Sequence, residues 1–550
     1  MKTPVRFFSL VFLFALLLSA CAVPAPICVQ DAIHYPHGQT LNGGPVQLGV
    51  MDASHLFTND LPNALHTSQA ALAVLDDVRW GHIEPNAPQA NQHDYRWTSL
   101  DERVAAYQKA GFELVMVLRA WNAWARSAGP QGGQAAAAAS TPPKEEYLND
   151  YAAWVQAVVE RYDADGIDDF AGLIDVNGDG NPDPIRYFQI ETDATTGIWW
   201  QSAAPVDTAA DYVTLLRTAK ASVSLASSQA QVILAGATAA DLLDQSPTAT
   251  DLEDTVTEIN PAVCGSLTAF QQILAASDAY DIIAVHSMAD YSGVSTLANW
   301  VATLSPGAKP VWIIGATTAP ALTADPQSIS VNALFPTRGE TLWNSLRDTA
   351  AADHDAVLNW YQAEQARLAF KKWVTAAASG FDAIIMGYEQ DRPVYTNATF
   401  GLRDLAFQGL LDEPGDGPPA KRPAIYALAM TQAQLRGYST VEKMDTFEED
   451  VQAYHFTVEE QPVYALWLDD GQAQGPTDTP ASRTIYLRTS ETQLPMFIAP
   501  TQPGQTSPTV QTLTPTNGII TLTLTETPII IRGEIAPFTP VKTFLPIITN

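Results

Sequence analysis

Cysteine is nearly absent, with three among 550 residues: Cys21, Cys28 and Cys264. So few exclude a disulfide-built scaffold, and the lack of any Cys-x-x-Cys or Cys/His spacing excludes zinc and dithiol redox centres. Basic residues are also scarce, 29 Lys and Arg against 60 Asp and Glu, for a net charge of −31. A field of that sign repels nucleic acid and anionic surfaces and suits neutral ligands in a solvated compartment. No phosphate loop, nucleotide fingerprint or Ser/His/Asp arrangement occurs, so no organic cofactor is expected. Beyond residue 21 no apolar run reaches the roughly 20 residues that a membrane span needs.

What is present begins with MKTPVRFFSLVFLFALLLSAC, where Lys2 and Arg6 precede an apolar run from Phe7 to Leu18. That run is short and ends in small residues, the pattern of a secretory signal, here residues 1–20. Its end, Leu18-Ser19-Ala20-Cys21, resembles the lipobox of bacterial lipoproteins. The resemblance implies acylation of Cys21 and a protein held to the cell envelope by lipid, facing outside the cytoplasm. Residues 21–45 read as a linker. With Cys21 acylated, Cys28 and Cys264 are left either to pair or to stay free thiols.

From 46 to 438 short apolar runs alternate with amphipathic helical stretches. The strand candidates are 46–52, 76–84, 112–121, 185–192, 231–238, 281–288, 309–317 and 381–389. Between them, Tyr147, Leu148, Tyr151, Trp154, Val155, Val158 and Tyr162 recur at three and four and define one helix face. Eight such units predict an α/β fold, a (β/α)8 TIM barrel. The long irregular segments follow the third, fifth and seventh strands, on the face where barrels build their sites. After the helical stretch RPAIYALAMTQAQL the pattern becomes strand and turn only, which predicts an all-β sandwich over 439–535, followed by a tail at 536–550.

Several strand ends resemble the retaining glycoside hydrolases of clan A, barrels that often carry a small sandwich. DVRWGHIEP supplies Arg79 where strand two of that clan commonly gives an Arg, and AVHSMADY supplies His286 and Tyr291 after strand six. In YFQIETDAT the clan register puts Thr192 on the Asn, Asp193 on the acid/base Glu and Ala194 on the Pro of Asn-Glu-Pro. Asp193 is one methylene short, and a slipped register would use Glu191 instead. Retention needs a second carboxylate about 5 to 5.5 Å away on another strand. Strand seven, KPVWIIGATTAP, carries Gly315 at the nucleophile position, and no carboxylate occurs between Lys309 and Ala324. Glycine can neither attack an anomeric carbon nor balance oxocarbenium charge. Glu389 after strand eight and Asp290 after strand six are the carboxylates that could replace it.

Binding chemistry survives better. Trp80, Trp121, Asn122, Trp199 and Trp200 cluster at or just beyond strands two to four. Sugar rings stack apolar C–H faces on aromatics, with polar groups nearby for their hydroxyls. A separate acidic run, DVNGDGNPD, places Asp175, Asn177, Asp179 and Asp183 at positions one, three, five and nine around Gly180. It resembles the calcium loops of dockerins and integrin-type repeats, and it implies Ca2+ as the one expected cofactor. At position twelve Arg186 replaces the bidentate Glu, and RYDADGIDD upstream offers further carboxylates.

The sequence thus predicts a surface-anchored, glycoside-hydrolase-like protein that binds a polysaccharide or oligosaccharide with degenerate retaining catalysis. Two alternatives stand beside it: an active hydrolase using Asp193 or Glu191 with a relocated carboxylate, and a structural surface protein with a filled cleft.

Overall fold

The computed structural model describes residues 45–52, 60–90, 92–127, 140–194, 200, 208–236, 269–287, 290–304, 309–318, 322, 335, 337–391, 406–412 and 419–538. Eight parallel strands run β1 (Gln47–Asp52), β2 (Leu72–Arg79), β3 (Glu113–Arg119), β4 (Tyr187–Ile190), β5 (Gln231–Ile233), β6 (Ile283–Ser287), β7 (Val311–Ala316) and β8 (Ala383–Met386). Their order in the sheet is β5-β4-β3-β2-β1-β8-β7-β6. The ring closes where Ile233 bridges Ile282, with Leu234 N donating to Ile282 O and Ile282 N to Val232 O, each at 3.1 Å. The predicted TIM barrel is therefore the observed fold.

Strands this apolar arise because a barrel buries both faces, one against the interior and one against the helices. Leu72, Ala73, Val74 and Leu75 of β2 are all wholly buried. Inside, Gly49 of β1 makes room for Ile385 of β8, since a Cβ at Gly49 would stand 2.2 Å from Ile385 Cδ1. Outside, the helix Leu148–Tyr162 buries Tyr151, Trp154, Val155, Val158 and Tyr162, the face expected from their spacing. The helix Pro423–Leu435 starts with Pro at its first turn, where a missing N–H costs nothing. No helix of the described residues is long and apolar enough to cross a membrane.

One strand differs from expectation. The sequence pattern put the second strand at 76–84, whereas β2 starts at Leu72 and gives way at Trp80 to a helical turn, Trp80–Ile83. The continuous run Leu72–Leu75 is the true inner strand. Its register against β3 shifts between Leu75 and Val78, with Asp77 in the left-handed region at φ 73°.

After the barrel come two antiparallel sheets, as predicted. A six-stranded sheet is formed by β9 (Thr440–Lys443), β10 (Val451–Val458), β11 (Gln461–Leu468), β13 (Leu494–Ile498), β14 (Thr509–Leu513) and β16 (Ile529–Arg532). A three-stranded sheet is formed by β12 (Ser482–Arg488), β15 (Ile519–Thr525) and β17 (Ala536–Pro537). Alternate residues of β10 and β11 face opposite partners. Ala453, Leu466 and Leu468 join Leu487 and Leu524 in the core between the sheets. Phe456, Ala465 and Trp467 belong instead to the same continuous core as the barrel.

The helix His354–Ser379 is the other side of that junction. Trp373 is wholly buried and stacks on Phe456 with ring centroids 6.2 Å apart, while Phe370 meets Trp467 edge-on. Tyr438 Oη accepts a hydrogen bond from Val46 N, 3.0 Å long, tying the residue before β1 to the segment that leads into β9. A shared core of this kind couples both parts in one unfolding event. Urea denaturation followed by tryptophan fluorescence and by far-UV circular dichroism is expected to give one coincident transition. Trp373→Ala, which empties the junction, should cost about 3–5 kcal/mol. Two separated transitions in the unaltered protein would refute the coupling.

Candidate functional site

The mouth of the barrel is built from charged residues that end apolar strands. Asp52 closes β1 wholly buried and receives Arg103 Nε at 2.8 Å, while Arg103 Nη2 donates to Asp52 O at 2.7 Å and Nη1 to Asp76 O at 3.2 Å. Burial opposes the Arg103 charge, but Asp52 and, further off, Glu389 hold its pKa up. Next to this pair, Asp77 is turned inward by the β2 irregularity and takes two cations. Arg79 Nε donates to its Oδ1, and Arg119 Nη1 reaches the same oxygen at 3.1 Å.

Arg119, at the end of β3, is 1% exposed and also faces Glu191, with Nε 3.6 Å from Oε2. Glu191 in turn accepts the Ala120 amide at 2.6 Å and stands at φ 64°, a conformation that non-glycine residues rarely adopt. Burial pushes its carboxyl above the ordinary range against the pull of Arg119. Such a side chain, enclosed and bonded to a neighbouring strand, holds β3 and β4 together. The proposal from sequence that Glu191 takes over as acid meets this placement: it is wholly buried beside Arg119.

Asp193 follows β4, buried, and its backbone bridges Gly236 beyond β5. Its neighbour Thr192 donates from Oγ1 to Asp76 Oδ1 at 3.0 Å. Glu389 lies buried just past β8, on the side of Asp52 and Arg103. Asp290 folds back on its own chain, Oδ1 accepting the Tyr291 amide at 2.8 Å.

His286 and Gly315 explain each other. The imidazole is buried, Nδ1 lying 2.5 Å from Ile314 O. It sits between two glycines: a Cβ at Gly236 would stand 2.4 Å from Nε2, and one at Gly315 would stand 3.1 Å from Nδ1. Gly315 also has φ 80° and marks the register shift of β7 against β8. A glutamate there would be strained by its backbone and crowded by the ring. Beyond it come Ala316 and the buried Thr317 and Thr318.

The remaining predicted binding residues divide. Arg79 lies over the ring of Trp121, 5.1 Å from its centroid, and His82 meets the same ring edge-on; Arg79 and Trp121 are half-buried. Trp80, expected in the cleft, is instead core: the helical turn swings it inward, where Nε1 donates to Glu84 Oε2 at 2.8 Å and the ring stacks on Trp154. Asn122 is likewise structural, donating to Glu84 O and accepting the Trp124 amide. Trp200 is buried against Tyr212. Tyr291 belongs to the barrel–sandwich junction, its hydroxyl on Asp469 and its ring against Trp467. Trp199 and Cys21 lie outside the described residues.

In the acidic run, Asp175 accepts the amides of Gly178, Asp179 and Gly180, and Asp183 accepts those of Val176 and Asn177. Asn177 also donates to Asp183 Oδ1, at 2.6 Å. Sequence reasoning missed Asp52, Asp77, Arg103 and Arg119. For Asp52, Asp77 and Arg119 the signal was there to find, since a charge inside or ending an apolar strand is buried and needs a partner, whereas Arg103 lies in the helix Thr98–Lys109 and carries no such mark.

No family model and no curated relative matches this chain. Solved structures do. A family 39 glycoside hydrolase from the gut symbiont Bacteroides cellulosilyticus WH2 is similar at 14% identity over 90% of this chain and 82% of that one, with TM-score 0.53. The GH39 enzyme from Xanthomonas axonopodis pv. citri is similar at 11% identity over 92% and 98%, TM-score 0.53. A monomeric beta-xylosidase from Caulobacter crescentus CB15 is similar at 11% identity over 90% and 98%, TM-score 0.50. Identities this low speak to architecture alone. The chain shares the fold of these glycoside hydrolases, an eight-stranded parallel barrel followed by antiparallel sheets.

Proposed function

We propose that this protein is a carbohydrate-binding member of the glycoside-hydrolase-like barrels, without retaining catalysis, anchored outside the cytoplasm by lipid on Cys21. The observation that carries the loss of catalysis is Gly315. In the retaining glycosidases that the sequence resembles, the end of strand seven supplies the nucleophile. Here that place holds a left-handed glycine packed against His286, so its backbone and its space both disfavour a carboxylate. Glu191 and Glu389 are buried, the first against Arg119 and the second in the surroundings of Arg103, which supports structural roles for them. Carbohydrate binding is supported by the fold and by the half-buried Trp121 with Arg79 and His82, an apolar face beside hydrogen-bond donors.

The solved relatives include a beta-xylosidase, so xylo-oligosaccharides are the first probe, with gluco-oligosaccharides beside them. Calorimetric titration is expected to show saturable binding, and chromatographic analysis of the same mixtures no hydrolysis. Trp121→Ala should weaken binding about tenfold or more, equivalent to ~1.4 kcal/mol. Gly315→Glu should produce no turnover and a less stable protein. Hydrolysis that Glu389→Gln abolishes would overturn the reading and identify a relocated carboxylate. Absence of both binding and hydrolysis would leave a structural surface role.

The anchor has its own test. In a bacterial host the full chain is expected in the membrane fraction and to incorporate labelled palmitate. Cys21→Ser should abolish the labelling and shift the exported protein to the soluble fraction. Unchanged fractionation and labelling in that variant would remove lipid from the proposal.

A further inference from the structure

At the opposite end of the barrel, a connection of 24 residues leads from the helix Leu148–Tyr162 into β4. Its first residues, Asp163-Ala164-Asp165-Gly166, begin a pattern that returns 14 positions later. Asp163, Asp165, Gly166 and Asp169 correspond to Asn177, Asp179, Gly180 and Asp183. The backbone repeats with them: Ala164 and Gly178, and Gly166 and Gly180, all lie at positive φ between 57° and 95°. The sequence resemblance places calcium in the second of these loops and offers Asp163, Asp165, Asp168 or Asp169 of the first to the same or another ion. The geometry favours the first.

Asp163, Asp165 and Asp169 each bring one carboxylate oxygen within 4.8 Å of the other two, and among the described residues they form the group of acidic side chains so gathered. Asp163 is 8% exposed, and its Oδ1 is enclosed without a hydrogen-bond partner. An enclosed carboxylate oxygen with nothing to bond, on a residue gathered with two further carboxylates, is costly unless a cation completes the group. The chemistry fits. Three carboxylates with no thiol or imidazole among them make a hard oxygen set, which suits the flexible shell of roughly six to eight oxygens that calcium takes, whereas magnesium demands near-ideal octahedral geometry and keeps several waters.

We propose that Asp163, Asp165 and Asp169 bind one calcium ion, with backbone carbonyls and water completing its shell. The carboxylates do not then need to share their repulsion. The ion's place is structural. Asp163 caps the helix, Phe170 N bonds Arg161 O at 2.8 Å, and Ile185 N bonds Tyr162 O at 2.8 Å, so the bound loop would fix the entry of β4. Loops at that end of a barrel serve stability more than chemistry.

The test uses the full chain stripped of metal by chelator, titrated calorimetrically with calcium chloride and, separately, magnesium chloride, with thermal midpoints recorded in parallel. Calcium should bind and raise the midpoint, and magnesium should do so at least tenfold more weakly. Asp163→Asn and Asp169→Asn should each weaken calcium binding tenfold or more, and Asp163→Asn should raise the midpoint of the metal-free protein. Asp179→Asn should retain calcium binding. No heat and no midpoint shift in the unaltered protein would overturn the proposal. Loss of binding in Asp179→Asn with retention in Asp163→Asn would move the ion to the second loop, and loss in both would mean one ion spanning the two. Neither outcome bears on glycan binding, which the same preparations can be assayed for.

Discussion

A buried guanidinium organises the mouth of this barrel. Arg119 leaves β3 with almost no exposure and meets carboxylates from the strands on either side, Asp77 from β2 and Glu191 from β4. Arginine suits the position because its planar donor set can serve two partners and its charge is retained under burial. Both partners adopt left-handed backbone conformations to reach it, Asp77 at φ 73° and Glu191 at φ 64°. The strand irregularity in β2 falls at Asp77, between Leu75 and Val78. Removing one member of such a buried set leaves the others uncompensated, which is why it behaves as a unit.

The opposite side of the mouth is arranged by shape, not by charge. His286 occupies a slot between Gly236 and Gly315, and each glycine lacks the Cβ that the ring would displace. A retaining glycosidase needs a carboxylate in that region and space around it for a sugar. The two demands, a packed imidazole and a projecting nucleophile, compete for the same volume at Gly315. Here the His286 ring lies against Gly315, 3.1 Å from where a Cβ would stand.

The barrel was legible because its signals are long and repeated. Eight apolar runs separated by helical periodicity leave few other architectures, and the switch to strands after Leu435 marks the sandwich. The second strand was misplaced because DDVRWGHIE alternates like a half-buried strand, while the true strand is the unpatterned run Leu72–Leu75. Site residues were less legible. Trp80 and Trp121 look alike in sequence, yet one helical turn directs Trp80 to the core and leaves Trp121 beside Arg79. Gly315 was identified from its position, but its reason, the ring of His286 against it, needs three dimensions. Arg119 and Asp77 are illegible singly, because each is explained by the other across two strands.

The core shared by barrel and sandwich has a consequence for the order of folding. A ribosome delivers the chain from its N-terminus, so the helix His354–Ser379 is complete long before β10 and β11 exist. Until they arrive, Phe370 and Trp373 have no Trp467 or Phe456 to cover them. The nascent barrel therefore carries an unfinished apolar flank, a surface that holds partly folded chains open to aggregation. Maturation of the barrel is tied to synthesis of the last hundred or so residues, and the sandwich acts as the closing step of the barrel's own assembly.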